Sequence, residues 1–142
     1  MLKSGVRRLV RRRRTRSVRR RRTWPVAVQK HYALHKEAAR KLCHARLEHF
    51  NQHYGFSYNR VSIKNTRGRW GSCSSNNNLN FNYRILFLPP EVQDYLIVHE
   101  LCHLKEMNHG PQYWLLVAEQ VPKYKDCIKR LRAMEQELFV LK

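Results

Sequence analysis

The segment VHELCHLKEMNHG, residues 98–110, constrains the fold more than any other part of the chain. It places three histidines and Glu100 in or beside an apolar run, since YLIV ends directly before His99 and two leucines are interleaved. A helix this apolar is expected in the core, where imidazole and carboxylate groups are costly unless they are paired or bind a metal. The segment therefore predicts a buried helix that carries metal-binding side chains.

The order of polar residues in this helix is H-E-x-x-H. His99 and His103 are four residues apart, so on a helix both imidazoles lie on one face and can converge on one ion. Glu100 is one step round the helix, where its carboxylate reaches a water at the ion more easily than the ion itself. Zinc accepts imidazole nitrogen and leaves a position for water when the protein supplies three ligands. The pattern predicts one Zn²⁺ with Glu100 as the general base of a hydrolase.

The third ligand is expected beyond the end of the helix, where the chain can turn back. His109 lies in NHGP, and Asn, Gly and Pro are all typical of turns, so we favour it. Glu119, on the next predicted helix, is the alternative. Glu106 shares a face with His99, but it lies about 10 Å along the axis, too far to share an ion.

Five other histidines provide a comparison within the same chain. Two pairs of them also have the i, i+4 spacing, but neither pair has a glutamate after its first histidine. They fall on a predicted helix that is rich in lysine and arginine. We interpret all five as surface residues: His31, His35, His44, His49 and His53.

Hydrophobic spacing predicts the remaining elements of an α+β fold. An N-terminal helix ends before Gly55, with an apolar face at spacings of three and four: Ala39, Leu42, Cys43, Leu47, Phe50 and Tyr54. Alternation predicts two half-buried strands, 60–65 and 79–87, joined by a Gly/Ser/Asn-rich connection that we expect to form a long hairpin turn. Prolines that can open helices predict three more, at 90–104, 111–121 and 122–139.

Charge divides the chain into a tail, residues 1–22, and one domain, residues 23–142. The tail holds 12 of the 29 lysines and arginines and no acidic residue, whereas the domain has a net charge of +7. Like charges repel and few apolar residues accompany them, so the tail is predicted to be disordered in isolation. It is either a solvated tail or an arm that binds nucleic acid through phosphates without reading sequence.

The remaining composition predicts a cytoplasmic protein. No apolar run approaches the roughly 18–20 residues of a membrane span, and the basic N-terminus lacks the apolar region of a secretory signal. The four cysteines, Cys43, Cys73, Cys102 and Cys127, are far apart in sequence and form no C-x-x-C pair. We expect them to be reduced and mostly buried.

Several motifs in order resemble the YgjP-like metallopeptidase domain and, more distantly, the SprT-like zinc peptidases. They are RWGSCSS (69–75), LNFNYRI (79–85), LPPEVQDYLIVHELCHLKEMNHG (88–110) and the pair Tyr113–Trp114. The resemblance runs from about residue 36 to the C-terminus. Family members usually carry a β-rich N-terminal half, in whose place this chain has the arginine tract.

The resemblance implies a zincin-like fold with an N-terminal helix, a small antiparallel sheet or hairpin, an active-site helix and two C-terminal helices. It implies zinc held by His99, His103 and His109, with Glu100 as the catalytic residue and a peptide or protein as substrate. It also implies that residues 70–74 and the strand after them pack beside the active-site helix.

The sequence leaves the second oxyanion donor and the alternative functions undecided. The tetrahedral oxyanion of peptide hydrolysis needs a second donor, for which Tyr83, Arg84 and Tyr113 are candidates. Trp70 is expected to be a packing anchor. The main rival to a peptidase is a binding module with a structural zinc, which needs four protein ligands, for example the three histidines and Cys73. The other is a nucleic-acid-associated protein that works through residues 1–22.

Overall fold

A computed structural model describes residues 23–140. Within them, four α-helices and a three-stranded sheet form one α+β arrangement. The elements in chain order are α1 (Val26–Tyr54), β1 (Arg60–Lys64), β2 (Gly71–Cys73), β3 (Asn78–Asn82), a 3-10 helix (Tyr83–Phe87), α2 (Pro90–Cys102), α3 (Pro111–Gln120) and α4 (Tyr124–Val140). The tail and the prediction that it binds nucleic acid concern residues 1–22, which lie outside the described residues.

Helix α1 buries the face that the sequence predicts and begins further toward the N-terminus than its apolar spacing suggests. Its buried residues are Ala39, Cys43, Leu47 and Phe50. The helix ends at Gly55, whose φ of 67° lies in the left-handed region that glycine adopts at little cost, and the Gly55 N–H donates to Asn51 O.

The sheet differs from the expected hairpin in the pairing of its strands. Its order is β1-β3-β2, with β1 parallel and β2 antiparallel to β3. The prediction that the segments 60–65 and 79–87 form one hairpin is therefore wrong. The chain reverses once before β2 and once after it, so β1 and β3 run in the same direction. The Gly/Ser/Asn-rich connection supplies a strand of its own, and β2 with β3 forms the antiparallel hairpin.

Strand β3 is also shorter than its alternating pattern predicts, because the chain changes conformation at Asn82. The Asn82 side chain is buried, and its Oδ1 accepts a hydrogen bond from the Arg84 N–H at 3.0 Å, which starts the 3-10 helix. All five residues from 81 to 85 are buried, so the alternation of inside and outside positions that a half-exposed strand requires ends there.

Helix α2 lies in the centre of the core, and it packs against α1, α3, α4 and β2. It begins at Pro90 and ends at Cys102, close to the predicted span. Its buried apolar residues are Val92, Tyr95, Leu96, Ile97, Val98, Leu101 and Cys102. Each such side chain stabilises the fold by about 1.5–3 kcal/mol relative to exposure, so the last turn of α2 is held firmly.

The four cysteines are free thiols, as predicted. Cys43, Cys102 and Cys127 are buried, and Cys73 is partly buried. None of the helices within residues 23–140 is long and apolar enough to cross a membrane.

Candidate metal centre

Three imidazole rings converge at the C-terminal end of α2. His103 Nε2 lies 2.9 Å from His109 Nε2, and His99 Nε2 lies 3.3 Å and 3.4 Å from His103 and His109. Ligand atoms that are about 2.0–2.1 Å from a zinc ion lie about 3.3 Å apart in a tetrahedral site. The spacing of the three nitrogens therefore fits a single metal ion of that size, and the donor atoms that could hold it are imidazole nitrogens.

The elements around the three rings fix their positions. His99 belongs to the last turn of α2, and His103 caps it. His109 precedes α3, and its exposed ring stacks on Trp114 with 5.7 Å between centroids. Tyr113, buried at the start of α3, stacks on His103 with 4.6 Å between centroids. The first turn of α3 therefore supports both of the histidines that lie outside α2.

Hydrogen bonds to the far ring nitrogens direct Nε2 of two histidines toward the centre. His103 Nδ1 lies 3.0 Å from the carbonyl oxygen of Glu106, which can only accept, so Nδ1 carries the proton and Nε2 has a free lone pair. The Tyr95 hydroxyl lies 2.9 Å from His99 Nδ1. Such partners orient metal-binding histidines and set their tautomer.

Burial keeps two of these rings neutral, which is the form that binds a metal. Burial, followed by the neighbouring His103 and His109, lowers the pKa of His99 to about 3. Burial also lowers the pKa of His103, against the hydrogen bond to Glu106, which raises it. The desolvated imidazoles therefore keep their lone pairs at neutral pH.

Glu100 faces the same pocket from the adjacent position of α2. Glu100 is only 5% exposed. Burial raises the pKa of its carboxyl to about 8, whereas the positive charge of Arg69 lowers that pKa. The pocket has a volume of about 240 Å³, and its lining includes Glu100, the three histidines, Met107 and residues 71–73 of β2. The expectation that the 70–74 segment packs beside this helix is confirmed for residues 71–73, which form β2.

A comparison with protein families places this arrangement among known domains. The family model described as YgjP-like, metallopeptidase domain matches residues 5–134 of the 142-residue chain. The chain belongs to the YgjP-like metallopeptidase family. The match begins inside the arginine-rich segment, further toward the N-terminus than residue 36, where the quoted motifs begin. A comparison with curated proteins finds no match.

Two archaeal structures have the same fold as this YgjP-like domain. The metallopeptidase zymogen of Pyrococcus abyssi abylysin matches with a TM-score of 0.61 and 24% identity, over 66% of this chain and 95% of that chain. The metallopeptidase zymogen of Methanocaldococcus jannaschii jannalysin matches with a TM-score of 0.52 and 22% identity, over 70% of this chain and 96% of that chain. The predicted zincin-like α+β fold is confirmed.

The YgjP-like domain places the alternative third ligands away from the three rings. The Glu119 carboxylate lies 3.0 Å from His53 Nε2, on the exposed surface. Glu106 contributes its backbone carbonyl to His103 rather than its carboxylate to the pocket. Of the three candidates for third ligand, the structure brings only His109 to the other two histidines.

The candidate oxyanion donors do not line the metal pocket. Tyr83 and Arg84 line a different cavity, beside His31 and the start of α1. The Tyr113 hydroxyl donates to the backbone oxygen of His99 at 2.9 Å. The role of these three residues as the second donor stays a prediction.

The remaining predictions about single residues hold in part. His31, His44, His49 and His53 are exposed, whereas His35 is only partly exposed. Trp70 is a buried anchor, because its indole N–H donates to Glu135 Oε1 at 3.0 Å and its ring packs on Phe139.

Two residues that support the site were not predicted from the sequence. The Tyr95 hydroxyl contacts His99 Nδ1 and orients the ring. In the sequence, however, a tyrosine in an apolar helix is typical of an ordinary core residue. Gly71 lies where β2 approaches α2, and a Cβ added to it would be 2.9 Å from both Glu100 Oε1 and Asn80 O. The sequence did contain a signal for Gly71. It is a glycine inside the motif RWGSCSS, which forms a strand, and glycines in strands often mark a close approach of another backbone or side chain.

If Glu100 is the catalytic base, Gly71→Ala should lower peptidase activity by about 10- to 100-fold while metal content stays near that of the parent protein, because a 1 Å displacement of a catalytic group has costs of this order. The Asn80 oxygen belongs to the backbone of β3 and cannot move far, whereas the Glu100 carboxylate is the end of a side chain. The new Cβ is therefore expected to displace the carboxylate. Gly68→Ala is the control, since no atom lies within 4 Å of its added Cβ, although its positive φ makes alanine strained there. Zinc analysis and initial rates on both variants test this. Parental activity in Gly71→Ala would contradict the described packing.

Proposed function

We propose that this chain is a zinc-dependent metallopeptidase in which His99, His103 and His109 hold one Zn²⁺ and Glu100 is the general base. The observation that carries the proposal is the convergence of three Nε2 atoms in one pocket with a buried carboxylate. Membership of a metallopeptidase family and the fold shared with two metallopeptidase zymogens support it.

The donor set favours a catalytic zinc over a structural one. Structural zinc sites are closed by four protein ligands, whereas catalytic sites have three and keep a position for water. Among residues 23–140 the converging donors are the three histidines. Cys73 lines the same pocket, but its sulfur does not belong to that group, and the thiol faces the Ser74 carbonyl at 3.7 Å. This supports an open site.

The chain's own residues supply the acid–base chemistry. A bound Zn²⁺ supplies a Lewis acid and lowers the pKa of water toward about 7. Glu100 takes a proton from the water that attacks the peptide carbonyl, and then gives it to the leaving amine. Burial against β2 supports this role, because it holds the carboxylate in one place beside the three imidazoles.

The free edge of β2 suits an extended peptide. Because β2 is an edge strand, one side of its backbone has no partner strand in the described sheet. The Asn82 N–H donates to Trp70 O at 2.7 Å, so these two residues form a hydrogen-bonded pair. Hydrogen-bonded and non-hydrogen-bonded pairs then alternate along β2. Ser72 then directs its N–H and C=O to β3, and Gly71 and Cys73 direct theirs to the open edge. An extended peptide can pair with these groups, and both residues line the metal pocket.

Metal removal and restoration test the proposed function. Treatment with a chelator should abolish cleavage of a fluorogenic peptide, and one equivalent of Zn²⁺ should restore it. Zinc should also stabilise the fold, by about 4 kcal/mol when free zinc is 1,000 times its dissociation constant, and calorimetry on metal-free and zinc-loaded protein measures this. A zinc-loaded protein that binds one ion but cleaves no peptide would support the structural-zinc alternative.

A further inference from the structure

A second pocket adjoins the metal pocket across β2. It has a volume of about 200 Å³ and shares Gly71 and Ser72 with the metal pocket. We call it the basic pocket, and its polar lining is Lys64, Thr66, Arg69, Ser72, Asn80 and Asn82. Since the Cβ direction of Gly71 points at Glu100, Ser72, the next residue on the strand, points to the opposite face of the sheet. Ser72 and its register partner Asn80 therefore lie on the face of the sheet opposite to Glu100, and the basic pocket extends over that face.

The basic pocket has positive charge and no acidic residue in its lining. Lys64 on β1 and Arg69 in the loop before β2 are its charged residues, and both are exposed. The ion pairs formed within residues 23–140 involve neither of them. The charge of Arg69 also acts on Glu100, but neither cation is held in an ion pair, and two such cations around a small polar cavity favour an anionic group.

The loop that carries Arg69 is held in place by hydrogen bonds. The Arg69 carbonyl accepts from Thr66 Oγ1 at 2.9 Å and from Asn82 Nδ2 at 3.0 Å. On the neighbouring strands, Asn80 Nδ2 donates to Ser72 Oγ at 3.1 Å, so the hydroxyl hydrogen of Ser72 is available to a bound group. The pocket thus combines two charges with a neutral donor on a backbone that is already ordered.

We propose that the basic pocket binds the carboxylate of an aspartate or glutamate in a peptide that lies along β2, so that the enzyme prefers an acidic residue beside the scissile bond. This rests on the proposed peptidase function. A peptide paired with an edge strand sends alternate side chains to opposite faces of the sheet. One side chain then faces Glu100 and the three imidazoles, and its neighbour reaches the face with Lys64 and Arg69.

Matched peptides test this preference on the zinc-loaded full chain. A quenched fluorogenic peptide is made with Glu, Gln or Lys at each position on both sides of the cleaved bond. At one position we expect kcat/KM for the Glu peptide to exceed that for the Gln peptide about tenfold, and the Lys peptide to be poorer still. In the Lys64→Ala/Arg69→Ala double variant, the Glu-to-Gln ratio should fall toward one. Arg60→Ala is the control, because Arg60 is on β1 with Lys64 but outside the pocket.

Binding supplies a second measurement that does not depend on turnover. Fluorescence anisotropy with zinc-loaded Glu100→Gln protein should show about tenfold tighter binding of the Glu peptide than of the Gln peptide. The same double substitution should remove the difference, and Arg60→Ala should keep it. If the parent protein cleaves Glu and Gln peptides equally at every position, the carboxylate pocket is wrong and the peptidase function stands. If the zinc-loaded parent cleaves none of the peptides, the peptidase function fails and this inference fails with it.

Discussion

Replacing Glu100 with glutamine is expected to lower kcat by about 10²–10⁴-fold, which is the contribution typical of a general base. Glutamine has nearly the same shape as glutamate, so the packing against Gly71 is kept. The amide cannot accept a proton from the attacking water or return one to the leaving amine. Because the carboxylate is not among the converging metal donors, zinc content should remain at one ion per chain.

The measurement is zinc content and initial rate on parent and variant, prepared side by side. Glu106→Gln is the matched control, because the Glu106 side chain follows the same helix but does not line the pocket. Its activity should match that of the parent. Cleavage by Glu100→Gln at the parental rate would show that another group is the base. Loss of zinc in that variant would instead assign Glu100 to the metal itself.

The sequence was sufficient for features that depend on neighbours in the chain. Gly55 ends α1 because the last turn needs a residue with positive φ. Pro90 and Pro111 occupy first turns, where a missing N–H costs nothing. His99 and His103 were predicted to lie together because four residues make about one helical turn. In the structure their Nε2 atoms are 3.3 Å apart.

Features that depend on distant contacts were not predicted from the sequence. The pattern LNFNYRILF alternates through residue 87, yet the strand ends at Asn82, because its side chain is satisfied by carbonyls of the preceding loop, at Thr66 and Arg69. Strand β2 has three residues and no hydrophobic alternation, so it read as a connection. The role of Gly71 follows only from the close approach of β2 to α2, which is a property of the assembled fold.

His109→Ala is expected to weaken zinc binding by at least about 100-fold, since loss of a partner that merely orients a ligand already costs 10–100-fold. Peptide cleavage at limiting zinc should disappear with it. His109 is an exposed residue between α2 and α3, so its removal leaves no buried cavity, and the fold should persist. Zinc titration with a competing chelator measures the affinity, and circular dichroism checks the helices.

Glu119→Ala separates the two ligands that the sequence allowed at the third position. The Glu119 carboxylate pairs with His53 on the surface, so its loss should change zinc affinity by less than twofold and stability by less than about 1 kcal/mol. His53→Ala should behave in the same way, which excludes a general effect of removing an exposed histidine. The opposite pattern, with zinc retained in His109→Ala and lost in Glu119→Ala, would mean that α3 turns its glutamate to the metal in the loaded protein. Because the two residues belong to different elements, one set of titrations decides between the two arrangements.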